Sequence, residues 1–303
     1  MVKVSLFGAL FFVASCVLVE AFEVMGNVQT IEPGRRVWIT GASSGLGEAL
    51  AYEIAKDWQE SRLVISARTE EKLKEVAKRC VELGAAECRV LPMDQSKIES
   101  LPTRQALNCF QGLDAVFING GISSRGKATD TDAETLAAIT NVNFLSSAEI
   151  GRAAARDMIE RNIKGRIVVV SSVQAYFGLP LRSAYGATKH AVKGYFDSLR
   201  AEVADAGITV TVASPGYIST NLSKNAVLAD GTAYGATDKT TANGADPKDV
   251  ARTIITAAKD RKAEIFVYPG LSARFAIFLR AFWPSLLFSI MASRARKNDK
   301  KLN

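Results

Sequence analysis

Residues 36–47 read RVWITGASSGLG, and the order of residue types in that stretch decides the fold. An apolar, β-branched run, residues 36–40, passes straight into a glycine-rich loop, and helix-compatible sequence follows to about Trp58. Strand, glycine loop and helix in this order make a phosphate cradle. Gly41, Gly45 and Gly47 let backbone approach a pyrophosphate, and the helix N-terminus supplies free N–H groups and a positive dipole.

Working outward, the same alternation repeats. A second strand at 63–66 leads to a helix at 70–83, then a strand at 88–92 and a helix at 97–110. A strand at 115–118 precedes a long helical region through Asn143 to residue 160, followed by a strand at 167–171, a helix at 183–205 and a strand at 208–214. A helix at 250–259 and a strand at 264–268 complete the series. Repeated β–α units with apolar strands predict an α/β fold: a Rossmann-type doubly wound parallel sheet of about seven strands, helices on both faces. Asn119-Gly120-Gly121 ends the fourth strand and Pro215-Gly216 the sixth, so both fall on the edge where such sheets bind ligands.

The end of the second strand tests the cofactor. A carboxylate about twenty residues after the glycines would grip the 2′-hydroxyl of NAD. Ser66, Ala67 and Arg68 stand there instead. No acid repels a 2′-phosphate and a guanidinium is available to bind it, so NADP(H) is favoured. The alternative for Arg68 is an ordinary solvated residue at a helix start.

Chemistry concentrates in residues 172–189, SVQAYFGLPLRSAYGATK. Ser172 closes a buried strand, and Tyr185 and Lys189 lie four apart on one helix face. The serine can hydrogen-bond a carbonyl oxygen and the tyrosine can protonate it. The lysine ammonium can hold the phenol below its usual pKa of about 10. Tyr52 and Lys56 have the same spacing but no hydroxyl at a strand end beside them, which suits a packed tyrosine next to a solvated lysine.

With these motifs in order, residues 33–270 resemble the short-chain dehydrogenase/reductase superfamily. The likeness rests on the glycine loop, the Ser172/Tyr185/Lys189 spacing and PGYIST at 215–220. It implies cofactor contacts from Thr40, Gly41, Ser43, Ser44, Gly45, Leu46 and Gly47. It implies further contacts from Asp94 to adenine, from Asn119, Gly120, Pro215 and Gly216, and from Ile218 and Thr220 to nicotinamide. By the same resemblance Asn143 is a fourth catalytic residue that holds a relay water, Lys189 binds the nicotinamide ribose beside Tyr185, and the helices around 143–160 and 183–205 are dimerising faces. One departure is visible: where the family carries Asn-Asn-Ala-Gly, this chain has Ile118-Asn119-Gly120-Gly121. The segments SAYGATKHA, PGYISTNLS and MASRARK are similar to the membrane-associated dehydrogenase/reductase family member 7B group, which implies acyl- or alkyl-dihydroxyacetone phosphate as a substrate, at endoplasmic reticulum or peroxisomal membranes.

Other chemistries fit less well. Gly41-Ala-Ser43-Ser-Gly45 satisfies a G-x-S-x-G nucleophile elbow, but only one strand precedes it. The sole histidine, His190, adjoins Lys189 with no acidic partner evident. Cys16, Cys80, Cys88 and Cys109 contain no C-x-x-C pair, so neither a zinc set nor a disulfide framework is indicated. A non-catalytic NADP sensor or scaffold would be marked by loss of the serine, tyrosine or lysine, and all three are present.

The ends address the chain to membranes. Val4 to Val19 is apolar and follows Lys3, which suits a signal anchor or a cleaved signal peptide within residues 1–30. Residues 271–303 combine aromatic and apolar positions with Arg274, Arg280 and Pro284, predicting an amphipathic segment that lies at a membrane interface or lines a lipid-substrate entrance rather than a span; the alternative is a helix that covers the core or a dimer face. Arg294, Arg296, Lys297, Lys300 and Lys301 hold much of the net charge of +7, which points to anionic membrane and not to nucleic acid. Residues 221–247, small and polar, suit a mobile substrate lid. The expectation is an NADPH-dependent reductase of an apolar carbonyl, a homodimer at the endoplasmic reticulum membrane. Peroxisomal or secreted locations, and a steroid or retinoid substrate, are the alternatives.

Overall fold

The computed structural model describes residues 36–302. The signal-anchor expectation for residues 1–30 falls outside them.

From the N-terminal side, β1 (Arg36–Thr40), α1 (Gly45–Asp57), β2 (Arg62–Ser66), α2 (Glu70–Glu82) and β3 (Glu87–Val90) form the first half. Next come α3 (Thr103–Asn108), β4 (Ala115–Ile118), α4 (Ala133–Thr140), α5 (Ser146–Glu160) and β5 (Arg166–Val170). The chain continues with α6 (Ser183–Glu202), β6 (Thr209–Pro215), α7 (Lys239–Ala242), α8 (Pro247–Lys259) and β7 (Glu264–Val267). Two further helices, α9 (Gly270–Phe282) and α10 (Pro284–Leu302), end the described chain. The strands make one seven-stranded sheet in the order β3-β2-β1-β4-β5-β6-β7, every pairing parallel.

Alternation along each strand assigns its side chains to two cores. Val37 and Ile39 of β1 join Leu50 and Ile54 of α1, Leu73 of α2 and Ile254 of α8. Trp38, pointing the other way, joins Ile150 and Met158 of α5 and Val192 and Phe196 of α6. Each face of the sheet is thus covered by helices, the condition under which an all-parallel sheet is stable. Strand order reverses between β1 and β4, and the crevice above that switch point is where the glycine loop and Asn119–Gly121 meet.

Several elements differ from the sequence reading. The helix expected over 97–110 is broken: Ile98–Ser100 makes one tight turn, Leu101 is extended, and α3 starts only after Pro102. Proline disfavours helical backbone at the residue before it, here the extended Leu101, which accounts for the break. The long helical region into residue 160 is α4 and α5 joined by a wide π-helical turn, Asn141–Leu145. Asp246 caps α8, its carboxylate accepting from the Lys248 N–H with Pro247 inside the first turn, so this helix begins before residue 250.

The segment 221–247 is fastened rather than loose. Arg125 N–H donates to the Val227 carbonyl at 2.8 Å, the Ala245 N–H to Tyr217 at 2.9 Å, and Asp238 accepts from two arginines. At the C-terminus, Ala273, Ala276 and Leu279 of α9 and Leu287 of α10 pack on Val173 and Phe177, which follow β5. Among the described residues no helix is long and apolar enough to cross a membrane.

Candidate active site

A cavity of about 870 Å³ runs along the C-terminal ends of the strands. It begins at Arg68 and Asp94, passes the glycine loop, reaches Ser172, Tyr185 and Lys189, and ends against α9 and α10.

The cradle is built on close approach. Gly41 has a φ of +67°, and a Cβ there would meet the Gly120 Cα at 2.8 Å. A Cβ on Gly47 would lie 2.1 Å from the Gly41 carbonyl oxygen. A side chain at Gly41 would push the loop away from the end of β4, and one at Gly47 would push it off the helix. Ser44, the residue before α1, makes no side-chain cap, so the first N–H groups of that helix are left for an anion. Ser43, Ser44, Gly45 and Leu46 line the cavity with Asn119, Gly120, Pro215, Gly216, Ile218 and Thr220.

Two predicted contact residues do structural work instead of facing the cavity. The Thr40 hydroxyl accepts the Asn119 N–H at 3.1 Å and the Gly120 N–H at 3.3 Å, tying β1 to the end of β4. Gly47 serves the packing just described. The departure at Gly120 also has a local cause: a Cβ there would fall 1.6 Å from the Gln95 Oε1. The Gln95 side chain fills the space an alanine methyl would take, and donates to the Ser146 hydroxyl at 2.9 Å.

At the adenosine end β2 carries no acid. The Ser66 hydroxyl is buried and accepts from the Trp38 indole at 3.0 Å, which removes it from ligand contact. Arg68, Thr69 and Lys72 line the cavity together. Burial works against the charge of Asp94, but hydrogen bonds from Ser96 and the nearby Arg68 outweigh it and hold the carboxyl below its usual range.

The reactive end joins three elements. Ser172, just past the end of β5, lines the cavity with Tyr185, and its Oγ accepts the Gln174 N–H at 3.1 Å. Tyr185 sits in the first turn of α6, its N–H held by the Ser124 hydroxyl at 3.3 Å. Burial raises the phenol pKa, while the Ser172 hydrogen bond and the guanidinium groups of Arg182 and Arg125 pull it back. Lys189 lies one turn on, its Nζ 5.7 Å from the Tyr185 ring centre and donating to the Val170 carbonyl at 3.0 Å. Burial lowers its pKa to about 8. Asn143 is fully buried in the π-helical turn behind the cavity wall. Its Oδ1 accepts the Ile122 N–H at 2.8 Å, and its Nδ2 donates to Ile122 at 2.9 Å and to the Thr188 hydroxyl at 3.0 Å. It thereby braces the loop after β4 against the residue next to Lys189. The wider turn turns this amide inward, a use to which π-helical insertions are commonly put.

The sequence profile of the short chain dehydrogenase family matches residues 35–230. The chain belongs to that family. Its relatives include the dehydrogenase/reductase SDR family member 7B of Xenopus laevis, 40% identical over 273 residues that make up 87% of this chain and 83% of that one. The SDR family protein 7-like of Anopheles gambiae is 42% identical over 270 residues, 87% of this chain and 84% of that one. Among solved structures, a short chain dehydrogenase/reductase from Burkholderia phymatum in complex with NAD superposes with a TM-score of 0.73 at 22% identity, covering 84% of this chain and 95% of that one. An alcohol dehydrogenase from Thermococcus sibiricus, complexed with 5-hydroxy-NADP, gives 0.65 at 23% identity over 77% and 95% of the two chains.

As a short-chain dehydrogenase the protein is an oxidoreductase, and its crevice fits a nicotinamide dinucleotide on observations of its own. The cradle has glycines where any Cβ would collide, and the helix beside it has an uncapped N-terminus. The second Tyr-x-x-x-Lys pair stands apart: Lys56 is bonded to Glu53 at 3.0 Å, and a hydrogen bond to Glu48, added to burial, raises the Tyr52 pKa. Sequence reasoning missed Lys72, Gln95, Arg125 and Arg182, whereas the C-terminal segment read as a lipid entrance does line the cavity, through Ala276 and Ile290. Lys72 lies close in sequence to Arg68 and Arg182 to Tyr185, so nearness to residues already singled out is the one signal that marks either. Nothing local marks Arg125.

Proposed function

We propose that this short-chain dehydrogenase is an NADPH-dependent reductase that converts a ketone on an apolar, lipid-like molecule to the alcohol at a membrane. The observation that carries the reading is that Ser172, Tyr185 and Lys189 line one cavity, which joins the glycine cradle to an apolar wall. When bound, the cofactor supplies hydride to the carbonyl carbon. Ser172 holds the carbonyl oxygen, and Tyr185 gives it a proton as negative charge develops. Lys189 would hold the ribose of the cofactor beside Tyr185. Arg68 and Lys72, with no carboxylate at the end of β2, support NADPH over NADH. The Ala276, Leu279 and Ile290 wall suits an acyl or alkyl chain, and acyl-dihydroxyacetone phosphate is the first substrate to try. The apolar run at 4–19 and the basic C-terminus support the endoplasmic reticulum membrane as its location, and the outer faces of α5 and α6 support a homodimer.

The test is steady-state reduction of acyl-dihydroxyacetone phosphate, a steroid ketone, retinal and small dicarbonyls with each cofactor. Tyr185→Phe should lower turnover by about a hundredfold or more while keeping NADPH binding, and Tyr52→Phe should leave it unchanged. Arg68→Ala should weaken NADPH by about 2 kcal/mol and spare NADH. Wild-type turnover in Tyr185→Phe would remove the proton donor from the scheme, and equal losses for both cofactors would remove the 2′-phosphate reading.

A further inference from the structure

Beside the proton donor, two guanidinium groups share one carboxylate. The side chains of Arg125 and Arg182 are only 9% and 14% exposed, and both line the cavity. Asp238 Oδ2 accepts from Arg125 Nη2 at 2.6 Å and from Arg182 Nη2 at 2.7 Å, while its Oδ1 accepts from the Tyr234 hydroxyl at 3.2 Å. Two cations against one anion leave a surplus positive charge with little water around it. Such a charge is costly without a counter-ion.

The two arginines are not equivalent. Arg125 is saturated: Nε and Nη2 reach Asp238, Nη2 also reaches the Ser223 hydroxyl at 3.1 Å, and Nη1 is held by the Ser123 hydroxyl and the Ser124 carbonyl. Arg182 donates a single side-chain hydrogen bond, to Asp238, and otherwise only faces the Tyr217 ring at 5.9 Å. Its remaining N–H groups have no acceptor among the described residues. The residue before it, Leu181, is held at a φ of +65°, a left-handed conformation that costs a non-glycine residue energy. The strain lies where the chain turns to place Arg182 three residues before Tyr185, close enough for its charge to act on the phenol.

We propose that Arg182 is a specificity residue that binds an anionic substituent of the substrate, a phosphate ester or a carboxylate, beside the reacting carbonyl. Asp238, the residue before α7, accepts the one Arg182 hydrogen bond in this structure and yields that guanidinium to the substrate anion. Arg125 is the fixed post that holds Asp238 when it is there. The inference rests on the reductase reading and narrows its substrate class to anionic amphiphiles: charged head at Arg182, apolar chain along α9 and α10.

Matched ketones test it: 1-acyl-dihydroxyacetone phosphate against 1-acyl-dihydroxyacetone, and a keto fatty acid against its methyl ester. The ratio of kcat/KM for the charged over the neutral member should exceed one in the pair whose anion the site takes. It should fall about tenfold or more in Arg182→Met, the scale of a lost charge-assisted contact. Taking the ratio cancels any effect of the arginine on Tyr185 itself. Arg182→Lys should keep part of the preference, and melting temperatures of both variants establish that they fold. Asp238→Asn gives the decisive sign, because removing a competing carboxylate should tighten the charged substrate while Arg182→Met weakens it. If both variants weaken it alike, or the ratio does not move in Arg182→Met, the cluster is a structural clasp and the proposal is overturned. Should no ketone be turned over, the reductase reading falls separately. Binding of inorganic phosphate and of acetate, followed by nuclear magnetic resonance, then decides the anion site by the same opposite signs in Arg182→Met and Asp238→Asn, and binding unchanged in both overturns it.

Discussion

Burial acts on Tyr185 and Lys189 alike, favouring the neutral form of each: the phenol is pushed up and the ammonium down. Lys189 ionises near 10.4 in an unfolded chain and near 8 in the fold. Between those values the unfolded chain holds a proton that the fold has released, so the lysine makes stability rise with pH across that window. Below about pH 8 both states are charged, and the fold carries the full cost of about 3 kcal/mol. Lys189→Met removes this dependence. Denaturant midpoints of the cofactor-free protein should show the variant ahead of wild type at pH 7 and the gap closing by about pH 10. A constant gap over that range would mean the lysine is not desolvated as its burial implies.

At the scale of elements, what could be read from the chain is what local chemistry specifies. The strands were legible because Val, Ile and Trp recur in short runs with glycine or polar breaks, as in Val37–Thr40. The Tyr185–Lys189 face was legible because helical spacing is a local property. Legibility failed where a distant partner decides. Nothing near Arg125 announces that Asp238 will meet it, and the inward turn of Asn143 depends on a π-helical insertion that packing against α6 selects. The break before α3 is a local feature too, set by Pro102. For α9 the sequence left two readings open, interfacial segment or cover for the core, and the structure gives it a packed face: Leu279 and Leu287 are each 2% exposed against Val173 and Phe177. Leu279→Ala should cost about 2 kcal/mol, the low end for a buried leucine because the cavity alongside lets neighbours relax. Unfolding curves measure it directly. A loss below about 0.5 kcal/mol would show that α9 is held by something other than this cluster.

Across the whole molecule, the packed face of α9 and α10 has an opposite side rich in apolar groups. Leu271 is 87% exposed and Trp283 62%, with Phe275, Phe282 and Phe288 also uncovered. Arg294, Arg296 and Lys297 follow on α10. Exposed aromatic side chains beside basic ones suit the boundary between headgroups and acyl chains, and Phe275, Ile290 and Arg294 also line the cavity. Two attachments are then separable. The apolar run Val4 to Val19 would insert, and the C-terminal helices would lie on the surface. Deleting residues 1–30 should release most of the protein from alkaline-washed membranes, because an interfacial helix binds reversibly. The shortened protein should still bind vesicles of anionic lipid and bind them less as salt rises, since screening over about 10 Å at 0.1 M weakens the pull of the basic side chains. Replacing Arg294, Arg296 and Lys297 by glutamine should remove much of the remaining attraction, and replacing Phe275 and Trp283 by serine should weaken binding to neutral vesicles as well. Resistance to alkaline extraction in the shortened protein would make the C-terminal helices an integral anchor, and salt-independent binding would deny the basic residues any part in it.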